Sequence, residues 1–434
     1  MTPDSILPAD ASEARRTILR DVLDDGSLVE EDGGRGSFRE LHAYTTGMAN
    51  PLARIRVGAD PLNIVGAIAR FVWMVSGSDR LEDIAFYEEK VRSYTDDGLS
   101  VPGSSYGKRL FNAKPGLNQM AGVIKELQKN PSTRRAAAVV WIPEDAVRAS
   151  NDIPCTFGLF FHIRAGELIM TTVMRSNNAF TLVPYNFFEF SMLGEIVAAD
   201  VGVPFGRYLH WAASMHVFDA QAAPAAATAD RTDSPAVEMP PMPSGDALVK
   251  ATSLARFEQK LRNASTFEEL RTLANDAHEA LGTYWSALFD VLYAYVLAKR
   301  EHFDEARSVI ASLPTYLKPG AEKCVGKLIA DDPLAEASSD DALFDLDVLQ
   351  QLNTFGAAAT LRATTGGDFE LIVESLRQLS TPEQPVTLDE LLAVREYLVR
   401  DDVALAARDA EAALELTPEV IAATLDAVRR GERS

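Results

Sequence analysis

Apolar positions along the chain follow two different rhythms, and each rhythm predicts its own kind of element. In "PLNIVGAIARFVWMVSG" (61–77) and "GLNQMAGVIKELQKNP" (116–131) they recur every three or four residues, the spacing of an amphipathic helix. A proline near the start and a glycine at the end bound the first, and Asn130-Pro131 ends the second. "RAAAVVWI" (135–142), "CTFGLFFHIR" (155–164), "ELIMTTVMRS" (167–176) and "RYLHWAASMHVF" (207–218) are short runs rich in β-branched and aromatic residues, which predicts strands. Ala165-Gly166 between two of them predicts a tight hairpin. "NFFEFSMLGEIVAADVG" (186–202) is apolar nearly all round, so it is expected as a helix buried on every side.

The same patterning divides the chain. Residues 1–40, with "DDGSLVEEDGGRGS", are polar and acid-rich and are expected to be a mobile lead-in. Residues 41–220 carry the mixed helix and strand signals. At 220 the texture changes to an Ala/Pro/Ser/Asp stretch that cannot build a core, and 221–245 is expected as a linker or surface crossing. From 246 to 434 the pattern is helical, in "TFEELRTLANDAHEAL", "TYWSALFDVLYAYVLAKR", "HFDEARSVIASL", "LDELLAVREYLV" and "TPEVIAATLDAVRRG", several opening on Thr or Asp as N-caps. The expected fold class is therefore α/β (α+β) with a mixed sheet, followed by an all-α C-terminal domain.

Composition narrows the possible partners. A chain of 434 residues that is 47% hydrophobic can bury a full core. A net charge of -21 speaks against a general nucleic-acid binder, because phosphate backbones are held by clustered Lys and Arg. No apolar run reaches the roughly eighteen residues of a membrane span, and "MTPDSILPADASEARR" has acids where a signal peptide needs basic and then apolar residues. The expectation is a cytoplasmic protein without membrane contact. Cys155 and Cys324 lack the spacing of a disulfide framework or a zinc site, and the six histidines show no metal-ligand spacing.

Candidate chemistry gathers around Cys155. It follows a proline at the start of an expected strand, and the strand that pairs with it ends in Arg175-Ser176, a guanidinium fork and a hydroxyl suited to a phosphate monoester. Arg134 and Arg135 stand side by side before a further strand. Two readings of Cys155 stay open on these residues alone. It is a small buried hydrophobe, or it is a nucleophile whose thiolate a neighbouring guanidinium favours.

Order and interval bring in a resemblance. "SSYGKRLF", "LNQMAGVIKELQKNP", "STRRAAAVVWIP", "IPCTFGLF", "RSNNAFTLVPYN" and "ASMHVF" follow the succession of motifs in thymidylate synthases and related pyrimidine nucleotide C5-(hydroxy)methyltransferases. About residues 50–220 resemble that family, and the chain looks like a divergent member with a fused helical segment. The resemblance implies that Cys155 adds to C6 of a pyrimidine ring. It implies further that Arg175 and Ser176 hold the nucleotide phosphate, and that Arg134 and Arg135 reach the same phosphate across a homodimer interface. Asn186 is implied to read the O4/N3 edge of uracil, Asn178 to stand at the position that faces the folate, and His216 to bind a sugar hydroxyl. Gln119 is expected to be structural.

The departures from the family pattern are also informative. Thr156 and Phe160 stand where the family has His and Gln, Asn178 where it has the Asp that holds the pterin of folate, and Phe218 where it has the sugar-binding Tyr. Ala213-Ser214 replace Gly-Asp, Leu182 replaces a glycine, and the catalytic glutamate aligns with Arg70, which cannot act as a general base. The one-carbon donor therefore stays unknown: methylenetetrahydrofolate is the family's donor, and these substitutions speak against it. Two functions follow from this pattern. One is a transferase that forms the Cys155 adduct on a uridylate-like monophosphate and modifies C5 outside standard folate chemistry. The alternative is a non-catalytic nucleotide-binding module whose helical segment contacts a partner.

Overall fold

The computed structural model describes residues 7–30, 36–330 and 417–430, with six single positions between 375 and 394. Two compact units divide the chain, Met1–Lys327 and Leu328–Ser434.

The first unit is built on a seven-stranded mixed sheet in the order β1 (Ser27–Val29), β2 (Phe38–Met48), β8 (Phe205–Phe218), β6 (Glu167–Met174), β5 (Thr156–Arg164) and β4 (Ala137–Val139), with β7 (Asn177–Asn178) also on β8. The β6–β8 and β7–β8 pairs are parallel and the other pairs antiparallel. Parallel strands need a crossover, and α6 (Val183–Val201) supplies it. The β5–β6 hairpin turns at Ala165 and Gly166, both at positive φ (52° and 84°), as a two-residue type I′ turn requires. In β5 the register slips between Thr156 and Gly158, so Phe157 forms a bulge two residues after Cys155. The extra residue bends the strand where the site begins.

Helices cover the inner face of the sheet. α2 (Ile64–Ser76) starts at Asn63, whose side chain accepts from the Gly66 N–H, and stops at Gly77 in the left-handed region (φ 70°). It is buried from Ile64 to Val75 at every residue except Arg70. α6 is just as apolar, with Asn186, Glu189, Ser191 and Glu195 as its buried polar side chains. Helices apolar all round need neighbours on every side. α4 (Tyr106–Phe111) and α5 (Gln119–Lys129) supply some of them, while α3 (Leu81–Ala85) is a short turn beyond α2.

The remaining neighbours come from the region expected to be a separate helical domain. α8 (Ala247–Asn263) packs on α2 and α6, and α10 (Thr283–Lys299) packs on α2 and α8. Trp285 is 1% exposed and stacks on Phe71 at 6.5 Å between ring centroids. The Tyr87 hydroxyl donates to Glu258 at 2.9 Å, and Arg262 pairs with Asp83 at 3.0 Å. α9 (Phe267–Leu281), α11 (Phe303–Ser312) and α12 (Lys318–Ala330) complete the helical region. The helices expected in a separate domain from 246 onward group with the sheet as far as Lys327, where the first unit ends.

Two further expectations change. Inside the segment expected to be mobile, Asp10 caps α1 (Ala11–Asp25) by accepting from the Ser12 and Glu13 N–H groups, and Ala14, Ile18, Leu19 and Val22 are fully buried. Burying each of the larger three stabilises the unit by about 1.5–3 kcal/mol. The expected linker 221–245 is also ordered. It holds α7 (Asp219–Ala229) and β9 (Ala236–Val237), which pairs with β3 (Ile55–Arg56), and it buries Met239 and Met242.

In the second unit the described residues include the helix Pro418–Arg429, within a segment whose pattern is helical, and Arg429 pairs with Glu390 at 2.8 Å. The helix expected over 388–399 lies outside the described residues except for Glu390 and Val394.

Candidate active site

A cavity of about 190 Å³ opens where β5 begins, β6 ends and α6 starts, lined among others by Cys155, Arg175, Asn186, Glu189, Arg70 and Tyr106. Cys155 is half-buried, and its carbonyl accepts from the Arg175 main-chain N–H at 2.8 Å, which extends the β5–β6 ladder past the bulge. The Arg175 guanidinium donates to the Pro154 carbonyl at 2.9 Å and the Ile153 carbonyl at 3.1 Å, so it straps the loop that carries the cysteine.

Asn186 sits in the first turn of α6. Its Oδ1 accepts from Asn177 Nδ2 at 2.8 Å, and its Nδ2 donates to Glu189 Oε1 at 2.7 Å. Glu189 is one helical turn further on, on the same face. Burial pushes its carboxyl up to about 7, while Arg70 and the Asn186 amide pull the other way. Burial works against the charge of Arg70, but Glu88 outweighs it through two hydrogen bonds of 2.8 and 2.5 Å and holds the guanidinium above its ordinary range. The same guanidinium lies over the Tyr185 ring at 5.2 Å. Tyr106 is raised by burial and then by the charge of Cys155, and its ring stacks on Phe190 at 6.0 Å. Asp152 is raised by burial despite accepting from Ser104 Oγ and the Gly103 N–H, each at 2.5 Å.

The structure brings Cys155, Arg175 and Asn186 to one cavity and leaves the other candidates outside its lining. Ser176 and His216 pair with each other at 3.3 Å, next to β7. Arg134 and Arg135 are exposed on the approach to β4. Asn178 is buried and committed: its Oδ1 accepts from the Phe180 and Thr181 N–H groups and the Thr181 hydroxyl, and its Nδ2 donates to Gln221. Gln119 clamps β4 by donating to the Val139 carbonyl and accepting from the Val139 N–H, a structural role as expected. Sequence reasoning missed Glu189, Asp152 and Tyr106. Glu189 did leave a signal, a lone acid inside the otherwise apolar "NFFEFSML".

A mixed sheet crossed by a buried helix places a thiol, a guanidinium and an amide around one cavity at the crossover. Residues 18–258 match the thymidylate synthase family model, more than half of the chain, and the chain belongs to that family. It is 36% identical over 148 residues to a Methanosarcina acetivorans protein named "Putative thymidylate synthase", covering 33% of this chain and 68% of that one. It is 31% identical over 196 residues to a deoxyuridylate hydroxymethyltransferase of Pseudomonas phage M6, covering 44% of this chain and 55% of that one. Similarity to the deoxyuridylate hydroxymethyltransferase of Bacillus phage SP01 is 26% over 215 residues, covering 46% of this chain and 55% of that one. The chain thus spans little more than half the length of the phage enzymes.

Proposed function

We propose that the protein binds a uridylate-like pyrimidine nucleoside monophosphate in this cavity and modifies C5 through a Cys155–C6 adduct. The observation that carries the reading is the convergence of Cys155, Arg175 and Asn186 on one cavity. Asn177 and Glu189 each occupy one side of the Asn186 amide, leaving it one N–H and one lone pair. That remainder complements the O4 acceptor and N3–H donor of uracil, and cytosine presents the reverse pattern. Arg175 spends two of its five N–H groups on the Ile153 and Pro154 carbonyls, which leaves donors for the phosphate, with Ser176 beside it and His216 toward the sugar.

A second copy of the chain would supply Arg134 and Arg135. The outer face of the sheet supports such a homodimer: Val139, Phe157 and Phe160 are 52%, 46% and 41% exposed, and Phe157 stacks on Trp141 at 5.0 Å. An apolar face of this kind marks an association surface.

The transferred group is assigned by class, a one-carbon or related electrophile. The residues fit folate poorly, because Asn178 presents no carboxylate and its Oδ1 is taken up by three donors of its own loop. The chain's own part is to hold the ring, deliver the sulfur to C6 and leave C5 electron-rich.

Mass spectrometry of the intact protein with 5-fluoro-deoxyuridylate tests the reading: the wild type gains the mass of the nucleotide and Cys155→Ser does not. The Arg70–Glu88 pair favours the non-catalytic alternative, since it occupies the group standing at the family's glutamate position. Tight nucleotide binding without an adduct would decide for that alternative.

A further inference from the structure

We propose that Glu189 carries the proton at the 4-oxygen edge of the bound pyrimidine, a catalytic carboxyl delivered by α6. The inference rests on the reading of the site given above and adds to it the group that makes the thiol addition feasible.

The two buried acids of α6 differ in what they are committed to. Glu195 is paired with Arg54 at 2.5 Å and accepts from the Met242 N–H at 2.8 Å, so both of its oxygens are engaged in the packing of the unit. Glu189 lines the cavity, is 5% exposed, and forms no ion pair among the described residues. Arg70, the cation that acts on it, gives its guanidinium to Glu88. Glu189 is therefore a buried carboxyl held by one amide, and that amide belongs to the residue proposed to read the base edge.

The chemistry calls for a group of this kind. When the Cys155 thiolate gives an electron pair to C6, the C5=C6 π pair becomes the C4=C5 π bond of an enol. The C4=O4 π pair then takes a proton to form the O4–H bond, which leaves Glu189 as the carboxylate. C5 next takes a proton from water, leaving hydroxide, while the O4–H pair re-forms the C4=O4 π bond and the O4 proton returns to Glu189; on reversal that hydroxide takes a proton from C5. Reversing the sequence releases a pyrimidine whose C5 hydrogen has exchanged with solvent, and no further reactant is consumed. A carboxyl that titrates near neutrality suits a proton that must both leave and return. The positive charge of Arg70 steadies the intermediate carboxylate.

The experiment is exchange of the C5 hydrogen of deoxyuridylate and uridylate in heavy water, followed by NMR, on the full-length protein. Wild type is expected to exchange in a Cys155-dependent way, with a rate that falls as pH rises past about 7. Glu189→Gln is expected to bind nucleotide while exchanging about 10²–10⁴-fold more slowly and losing that limb of the pH profile, as for removal of one acid–base group. Glu189→Asp keeps the limb at a reduced rate, and it serves as the test variant if the glutamine variant folds poorly. Cys155-dependent exchange that is equally fast in Glu189→Gln, with an unchanged profile, overturns the Glu189 assignment alone. Bound nucleotide with no exchange in the wild type overturns the nucleophile reading, and this inference with it.

Discussion

The Cys155 carbonyl accepts from the Arg175 main-chain N–H at 2.8 Å, while the Arg175 side chain reaches back to the two carbonyls that precede Cys155. One residue thus fixes the thiol-bearing loop twice and still has donors for an anion. Arg175→Ala is expected to weaken binding of a nucleoside monophosphate by about 1.5–3 kcal/mol, the range for a hydrogen bond to a charged group. Binding of the nucleoside is expected to change much less. Calorimetric titration of nucleoside and nucleotide against both proteins checks this, and an equal loss for the two ligands would remove the phosphate role.

Arg134 and Arg135 make a prediction about pairs of subunits, because they lie outside the cavity lining of their own chain. Cys155→Ser and Arg134→Ala/Arg135→Ala proteins are each expected to be inactive in C5 exchange. Mixed, they are expected to recover activity, since half the sites of a hybrid dimer then combine an intact thiol with intact arginines. No recovery from subunits shown to exchange would exclude the shared site.

The loop upstream of the cysteine depends on a buried ion pair. Arg109 is clamped by Asp145 through two hydrogen bonds, one of them 2.9 Å, and also donates to the Val140 carbonyl at 2.7 Å. Asp145→Ala leaves that guanidinium buried without its counter-charge and is expected to cost about 3–5 kcal/mol. Denaturant unfolding gives the number, and a loss below about 1 kcal/mol, as for an exposed pair, would show that water reaches Arg109 readily.

His210 sets part of the acid stability of the sheet. Burial holds its imidazole down at about 3, and it shares a 2.8 Å hydrogen bond with the Tyr208 hydroxyl. Above its unfolded value of about 6.5 both states are neutral. Below that, the unfolded chain gains a proton that the folded one refuses, so stability falls by about 1.4 kcal/mol per pH unit until about pH 3. Between pH 7.5 and 5 the wild type is expected to lose about 2 kcal/mol more than His210→Gln, read from unfolding free energies at the two pH values. Parallel curves would refute this assignment.

Local pattern was enough to locate β5, β6, β8, α2, α5 and α6, because apolar periodicity and turn residues act over a few positions. β2 escaped, since "FRELHAYTTGM" alternates poorly and carries Ala43 at φ 52° within an otherwise unbroken register with β8. The N-terminal helix hid in an acid-rich stretch in which only Ala14, Ile18, Leu19 and Val22 are fully buried apolar residues. In the site, motif order pointed to Cys155, Arg175 and Asn186, while Ser176 and His216 matched the motifs as well and, like Asn178, which departs from its motif, lie outside the cavity lining. Glu189 needed the fold: a lone acid in an apolar helix announces that it has a partner, and only the packing of α6 identifies Asn186 and Arg70 as that surrounding.

Consecutive residues on a helix point about 100° apart, so α2 shows Arg70 to the cavity and Phe71 to Trp285. That makes α2 a shared wall between the cavity and α10. The dimensions of the pocket are set partly by side chains that never touch its contents, and excising the helical region would move the pocket wall as surely as mutating it. A change in α10 that alters the packing of Trp285 on Phe71 thus bears on the wall of the cavity as well.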